Sequence, residues 1–133
     1  MTRLNKYSKH KFEQSLKLWR VASDFGDPMY NYLVYGFSPG SFFTAVLAND
    51  FYDAMSRSHP VNSVTALKAL VGWMRDCMPK EAYGSYHLVE EWLKLTDQQR
   101  RTVLEENNLI YTAKQETWLA VKGDPIIEED YQF

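Results

Sequence analysis

Two predicted helix starts carry the residues best suited to binding chemistry. Their candidate residues are Ser38, Gly40 and Ser41 in the first start, and Gly84, Ser85 and Tyr86 in the second. The first N–H groups of a helix have no helical acceptor, so they can donate to a phosphate or a carboxylate. Neither start has the glycine-lysine pair of a phosphate-binding loop. Each start is therefore interpreted first as a plain helix cap and second as an anion site.

Tyrosines crowd the segment just before the first of these starts. Tyr30, Tyr32 and Tyr35 lie within six residues of one another. A tyrosine ring combines apolar area with a polar tip, which suits a pocket wall or an interface, and equally the rim of a small core. We include Tyr30 and Tyr35 in the candidate ligand or partner surface.

Asp50 completes that candidate surface, because it lies on the wrong face of a predicted helix. On a helical wheel it falls beside Phe43, Val46 and Ala54. One interpretation is an edge carboxylate that reaches solvent or accepts hydrogen bonds from a neighbouring helix start. The other is a buried carboxylate with a raised pKa, serving as a base or ligand group.

The sequence shows no recognisable catalytic or metal-binding signature. His10, His59 and His87 are far apart and lack metal-ligand spacing, and no nucleophile-elbow motif is present. Cys77 falls on the apolar face of its predicted helix and is interpreted as a small core residue. We therefore predict no catalytic residue, no metal site and no cofactor.

Capping signals and helical spacing predict an all-α fold, a compact single-domain bundle of about six to seven short helices. Gly36 ends one helix, while Ser38 and Pro39 begin the next as N-cap and first helical residue. The predicted helices are Lys9–Ala22, Met29–Tyr35, Phe42–Arg57, one from an Asn62 or Ser63 cap to Met78, one from Ser85 to Leu95, one after a Thr96 capping box, and one from Thr112 to Gly123.

The helix Phe42–Arg57 is expected to organise the core. Its apolar stripe is Phe43, Leu47, Phe51 and Met55. We expect it to form a helical hairpin with the following helix across the turn at His59-Pro60. Residues 1–123 are predicted to form one domain, and residues 124–133 an acidic, mobile tail.

Charge is unevenly distributed along the chain. Residues 1–22 carry a net charge of +5, whereas the whole chain carries −2. A basic segment of this kind is found in nucleic-acid-binding arms. Because the chain is mildly acidic overall, a solvated basic helix is the favoured interpretation, with nucleic-acid binding through residues 1–22 as an alternative.

Composition favours a cytoplasmic protein with no membrane segment. No apolar run approaches the length of about eighteen residues that a membrane span needs, and no signal-peptide pattern opens the chain. The single cysteine excludes an intramolecular disulfide framework.

Four segments together resemble a group of small, uncharacterised proteins of tailed bacteriophages and prophages. The segments are Asp27–Gly36, Ser38–Asp50, Ser58–Asn62 and Tyr83–Ser85, within residues 27–95. The shared pattern is a proline-glycine helix start, an apolar helix that ends in asparagine-aspartate, and a later glycine-serine capped helix. The resemblance implies expression in an infected bacterial cytoplasm, and it transfers no catalytic residue.

The resulting hypothesis is an accessory protein that binds without catalysis. Its partner would be a host protein, as in host takeover or counter-defence, or a second copy of itself. The abundance of aromatic residues, nine Tyr, seven Phe and four Trp, supports protein binding. An alternative is a protein that sequesters a nucleotide-like small molecule at the serine- and glycine-containing helix starts.

Overall fold

The computed structural model describes residues 4–58 and 64–122, which form eight α-helices and one short 3₁₀ turn, Lys80–Ala82. The helices are α1 Lys6–Leu18, α2 Ser23–Tyr35, α3 Ser41–Leu47, α4 Phe51–Arg57, α5 Val64–Cys77, α6 Tyr86–Lys94, α7 Asp97–Glu106 and α8 Ala113–Lys122. No strand occurs in these two ranges, which confirms the all-α prediction. The expected six to seven helices were too few, because the predicted helix Phe42–Arg57 is two helices.

An asparagine-aspartate pair causes that break. Asn49 has a left-handed backbone with φ +62°, a conformation that asparagine tolerates better than most residues. The next residue, Asp50, starts α4 as its N-cap, with its side chain accepting a hydrogen bond from the Asp53 N–H at 3.1 Å. Apolar residues keep helical spacing through the break, so periodicity alone did not reveal it.

The core therefore centres on other helices than predicted. The fully buried large side chains include Phe12 of α1, Tyr32 of α2, Trp73 of α5 and Trp92 of α6. Trp73 contacts Phe12 edge to face, with ring centroids 5.7 Å apart. Burying such a side chain stabilises a fold by roughly 1.5–3 kcal/mol.

The predicted stripe on residues 42–57 is buried only in part. Leu47 is fully buried, Phe43 and Met55 are half-buried, and Phe51 is 77% exposed. The break at Asn49 rotates α4 relative to α3, so Phe51 no longer continues the face of Leu47. The expectation that Phe51 anchors the core was wrong.

The starts of α1 and α2 also differ from the prediction. Helix α1 begins at Lys6, where the Asn5 side chain accepts hydrogen bonds from the N–H groups of Tyr7 and Ser8. Ser8, which precedes the predicted first residue Lys9, does not cap the helix; it is buried, and its hydroxyl accepts from the Tyr111 N–H at 3.1 Å. Helix α2 begins at Ser23, six residues before the predicted start at Met29, and contains Pro28.

Other capping signals are confirmed. Gly36 ends α2 with φ +69°, and the Ser85 hydroxyl accepts a hydrogen bond from the Leu88 N–H at the start of α6. Reciprocal capping boxes form at Thr96–Gln99 and at Thr112–Gln115. These motifs act within four residues of chain, so the sequence specifies them locally.

Buried arginines on α7 join distant parts of the chain. Arg100 donates to the carbonyls of Val34 and Tyr35, the last residues of α2, as well as to Leu95 and Asp97. Carbonyls at a helix end lack helical donors, and a guanidinium has five N–H groups to offer. The side chain of Arg100 therefore fixes the end of α2 against the start of α7.

Arg101 makes a second long-range link. It forms ion pairs with Glu105 at 2.8 Å and with Glu116 of α8. The other carboxylate oxygen of Glu116 accepts from the backbone N–H of Asn5 at 3.0 Å. Through this carboxylate, α7, α8 and the start of α1 are held together.

Some predictions fall outside the described residues. They are the turn at His59-Pro60, the Asn62 or Ser63 cap and the acidic tail, within residues 59–63 and 123–133. Across residues 4–58 and 64–122, no helix has both the length and the apolar character needed to cross a membrane.

Candidate functional site

The sequence-predicted residues fall in three places in the fold. Asp50 lies beside the start of α6, which carries Gly84, Ser85 and Tyr86, whereas Tyr30 and Tyr35 lie on α2. The remaining candidates, Ser38, Gly40 and Ser41, precede or open α3. The structure thus brings Asp50 together with the second predicted helix start.

Asp50 and Tyr86 form a hydrogen-bonded pair between α4 and α6. The Tyr86 hydroxyl donates to the Asp50 carboxylate at 2.6 Å. In the same region, the Gly84 N–H donates a hydrogen bond to the Leu47 carbonyl at the end of α3, at 2.7 Å. The two bonds attach the start of α6 to the break between α3 and α4.

The environment of Asp50 does not fit a buried base. Hydrogen bonds from the Tyr86 hydroxyl and from the Asp53 N–H hold the pKa of the Asp50 carboxyl below its ordinary value. The same bond to Asp50 raises the pKa of the Tyr86 hydroxyl to about 12. Asp50 is therefore an ionised carboxylate that caps a helix, as the edge interpretation proposed, although the helix start is that of α4 itself.

We expect Tyr86→Phe to raise the pKa of Asp50 toward the ordinary aspartate value, since its main donor is lost. A lowered carboxyl pKa stabilises the fold above the ordinary value, and this contribution is lost as pH falls through the lowered one. The variant should therefore be less stable than wild type above the ordinary aspartate pKa, and the difference should shrink as pH falls through the lowered pKa of the wild type. NMR titration of the Asp50 carboxyl carbon measures the pKa directly.

Tyr52→Phe is the control, because Tyr52 is an exposed tyrosine of α4. An Asp50 pKa that is equal in wild type and in Tyr86→Phe would contradict the assignment.

Tyr30 and Tyr35 form the rim of the core. Their rings meet edge to face at 5.8 Å, and Tyr30 also contacts the ring of Phe12 at 5.2 Å. Burial raises the pKa of the Tyr30 hydroxyl, so it stays protonated. A polar cavity of about 410 Å³ adjoins the pair, with Lys9 and Asn31 in its lining.

The first predicted helix start is not capped as expected. Helix α3 begins at Ser41, with Gly40 as N-cap and no side-chain capping bond. The prediction of Ser38 as N-cap and Pro39 as first helical residue was therefore wrong. Gly40 has φ +90°, which a residue with a side chain rarely adopts, so the chain enters α3 two residues later than predicted.

The basic residues of α1 are partly occupied within the chain. Lys9 forms an ion pair with Glu13 at 3.9 Å. Lys11 donates to the Asn108 side chain at 2.7 Å and lies 4.6 Å from the centre of the Tyr111 ring. Both lysines therefore have polar or aromatic neighbours within the chain, and nucleic-acid binding through residues 1–22 stays a prediction.

A groove between α5 and the pair α3–α4 is the feature that the sequence did not reveal. It has a volume of about 360 Å³. We call it the α5 groove. Its lining residues are Ala45, Val46, Asn49, Asp50, Phe51, Ala54, Met55, Val64, Leu67, Lys68 and Val71. Most of these side chains are apolar, and several are strongly exposed: Phe51 is 77% exposed and Val64 72%.

The wide apolar face of α5 is the sequence feature from which this groove could have been predicted. A helix that is apolar around half its girth needs two covering surfaces. One side of α5 is covered, because Trp73 packs on Phe12 of α1. The other side was expected to close against residues 42–57 as a hairpin, but it faces the groove instead.

The potential metal ligands among the described residues are dispersed. In residues 4–58 and 64–122, no group of three His, Cys, Asp or Glu side chains could hold a metal ion. Burial raises the pKa of the Cys77 thiol, which lowers its fraction of reactive thiolate. Comparison of the chain with protein-family models, with curated proteins and with solved structures found no match.

Proposed function

We propose that this chain is a small accessory protein of the tailed-phage type that acts by binding, without catalysis, and that the α5 groove receives an apolar helix of a protein partner. The observation that carries the proposal is the exposure of Phe51, Val64 and Val71 around an apolar groove of about 360 Å³. Contiguous exposed apolar surface, rimmed by polar groups, is typical of interaction sites.

The shape of the groove suits a helix. Its α5 wall is formed by Val64, Leu67 and Val71, which follow the helical spacing i, i+3, i+7. That wall is roughly 10 Å long at 1.5 Å per residue, which equals two turns. A partner helix that presents side chains over two turns would match its length, and a helix in an apolar groove is a recurrent mode of recognition.

Polar groups in the groove would orient the partner. Asp50 lies on the α3–α4 side and Lys68 on the α5 side. Charged groups at the edge of an apolar interface select register and partner more than they add affinity. The resemblance to phage proteins supports a bacterial cytoplasmic setting, in which the partner is a host factor or another copy of the chain.

Binding of a designed helical peptide tests the proposal. The probe is a fluorescently labelled, helix-stabilised peptide with leucine at positions i, i+3, i+4 and i+7, and fluorescence anisotropy measures its affinity. We expect the wild type to bind it and Val71→Lys to weaken binding at least tenfold, since the variant places a charge in the groove. Leu18→Lys is the matched control. Like Val71, Leu18 is an exposed apolar residue, but it lies outside the groove lining.

Two results would contradict the proposal. One is the absence of peptide binding by the folded wild-type protein. The other is equal affinity in wild type and Val71→Lys, since binding would then occur on another surface.

A further inference from the structure

We infer that the helix received by the α5 groove is α8 of a second copy of this chain; this inference rests on the proposed function. Helix α8 carries two large apolar side chains on its outer surface, Trp118 and Val121, which are 62% and 74% exposed. The described residues thus include both a concave apolar surface, the α5 groove, and a convex apolar surface on α8.

The outer side of α8 has the spacing that a groove recognises. We call this surface the α8 ridge. Its residues are Lys114, Trp118, Val121 and Lys122, at positions i, i+4, i+7 and i+8. These positions lie on one side of a helix. The ridge is roughly 12 Å long at 1.5 Å per residue, comparable to the α5 wall of the groove, and its apolar pair covers about one turn.

The ridge is attached to the rest of the fold through the opposite side of α8. On the opposite side of α8, Glu116 is 7% exposed and pairs with Arg101 of α7 and with Asn5. A surface whose backbone is already fixed loses less conformational entropy on binding than a flexible segment does. The α8 ridge is therefore preorganised for docking.

A contact between the ridge and the groove would have to join two copies of the chain. Trp118 on the ridge and Phe51 in the groove are both largely exposed in the same chain. Neither surface therefore covers the other within one molecule. An indole and a valine side chain from a second copy would fill the groove and cover Phe51.

Charge favours this occupant and sets its register. The exposed positions of α8 include two lysines and no carboxylate, because Glu116 is buried and paired. The Asp50 carboxylate on the groove wall can accept a further hydrogen bond from a lysine. Lys68 on the opposite wall would repel a lysine, so we expect the docked α8 to place one of its lysines on the Asp50 side.

A contact between two different surfaces has a geometric consequence. If each copy docks its α8 ridge in the groove of the other, the two copies form a closed dimer with two-fold symmetry. If the docking is not reciprocal, the contact repeats and builds rings or chains. In either arrangement each copy uses one ridge and one groove. Two variants damaged in different surfaces can therefore complement each other.

Sedimentation velocity over a concentration series, up to millimolar, tests the inference with the full chain. We expect wild type to self-associate and Trp118→Ala to weaken that association at least tenfold, as for a central aromatic anchor. Leu18→Ala is the control, since it removes an exposed apolar side chain elsewhere. Lys68→Glu should strengthen association, because it replaces a repulsive charge by an attractive one.

Mixing two weakened variants gives the decisive result. Trp118→Ala keeps an intact groove, and Val71→Lys keeps an intact ridge, so we expect their mixture to form a heterodimer that neither forms alone. A wild type that stays monomeric throughout would overturn the inference. Association that survives in Trp118→Ala, or a mixture that stays monomeric while wild type associates, would also overturn it. Each of these results leaves the peptide-binding test of the groove unaffected, so the two proposals fail separately.

Discussion

Gly36→Ala is expected to destabilise the protein by about 3–5 kcal/mol, one of the largest effects of any single substitution in the chain. The backbone at Gly36 has φ +69°, and a Cβ there would lie 2.5 Å from a guanidinium nitrogen of Arg100. A left-handed backbone alone costs a residue with a side chain roughly 1–2 kcal/mol. The remainder is the cost of displacing Arg100.

Arg100 is held in this position by burial and by its hydrogen bonds. The end of an arginine side chain is usually flexible, but here it is 4% exposed and donates to Val34, Tyr35, Leu95 and Asp97. Pushing the guanidinium aside breaks hydrogen bonds to a buried charge, and it leaves the carbonyls at the end of α2 without donors. Urea unfolding at constant m-value measures the loss.

Gly40→Ala is the control for the backbone term. Gly40 also has a positive φ, +90°, but an added Cβ would meet nothing within 4 Å. We expect its cost to be that of the strained backbone, about 1–3 kcal/mol. In an Arg100→Ala background, the cost of Gly36→Ala should fall to the backbone term, about 1–2 kcal/mol. An equal cost in both backgrounds would show that the Arg100 contact is not what restricts this position.

Glu116→Ala is expected to destabilise the protein by about 2–4 kcal/mol. The carboxylate is buried between Arg101 and the backbone N–H of Asn5. Its removal leaves part of a buried guanidinium charge uncompensated, although Glu105 and the Tyr111 carbonyl still accept from Arg101. The melting temperature and the urea midpoint should both fall.

Comparison with two variants isolates the role of this carboxylate. Glu106→Ala removes an exposed glutamate nearby and should change stability by about 0.5 kcal/mol or less. Glu116→Gln keeps the shape and can still accept from Asn5, so its loss should be intermediate. If Glu116→Ala and Glu106→Ala have the same stability, the link between α1, α7 and α8 contributes nothing measurable.

Local signals in the sequence were sufficient for much of the fold. Gly36, Ser85, Thr96 and Thr112 act through hydrogen bonds to residues within a few positions, so helix ends there could be read from the sequence. The all-α class follows from the same signals. The break at Asn49 was missed because apolar spacing continues through it, although an asparagine followed by an aspartate is itself a stop-and-cap pattern.

Burial of charged residues could not be read from local pattern. Arg100, Arg101 and Glu116 occupy helix positions that a charge pattern assigns to solvent. Their burial depends on acceptors and donors that lie far away in sequence: Arg100 meets Val34 across 66 residues, and Asn5 meets Glu116 across 111. Only the tertiary structure brings these groups together.

The candidate site, too, depends on contacts that the local sequence does not specify. Acceptance of a helix-start hydrogen bond by Asp50 was among the predicted interpretations, but the expected donor was a neighbouring helix; capping of α4 by Asp50 was not predicted, because residues 42–57 were predicted to form one helix. Its bond from Tyr86 and the α5 groove were not predicted, since both depend on how α4, α5 and α6 are placed. A wide apolar face on α5 indicates two covering surfaces, but the sequence does not say that one of them is left open.

Methyl NMR of the protein titrated with the helical leucine peptide tests the central claim most directly, because it locates the binding surface. We predict that the methyl signals of Val46, Val64, Leu67 and Val71 shift with saturation, while those of Leu16 and Val89 in the core stay constant. Shifts confined to methyl groups outside the α5 groove, or no shift at saturating peptide, would contradict the account.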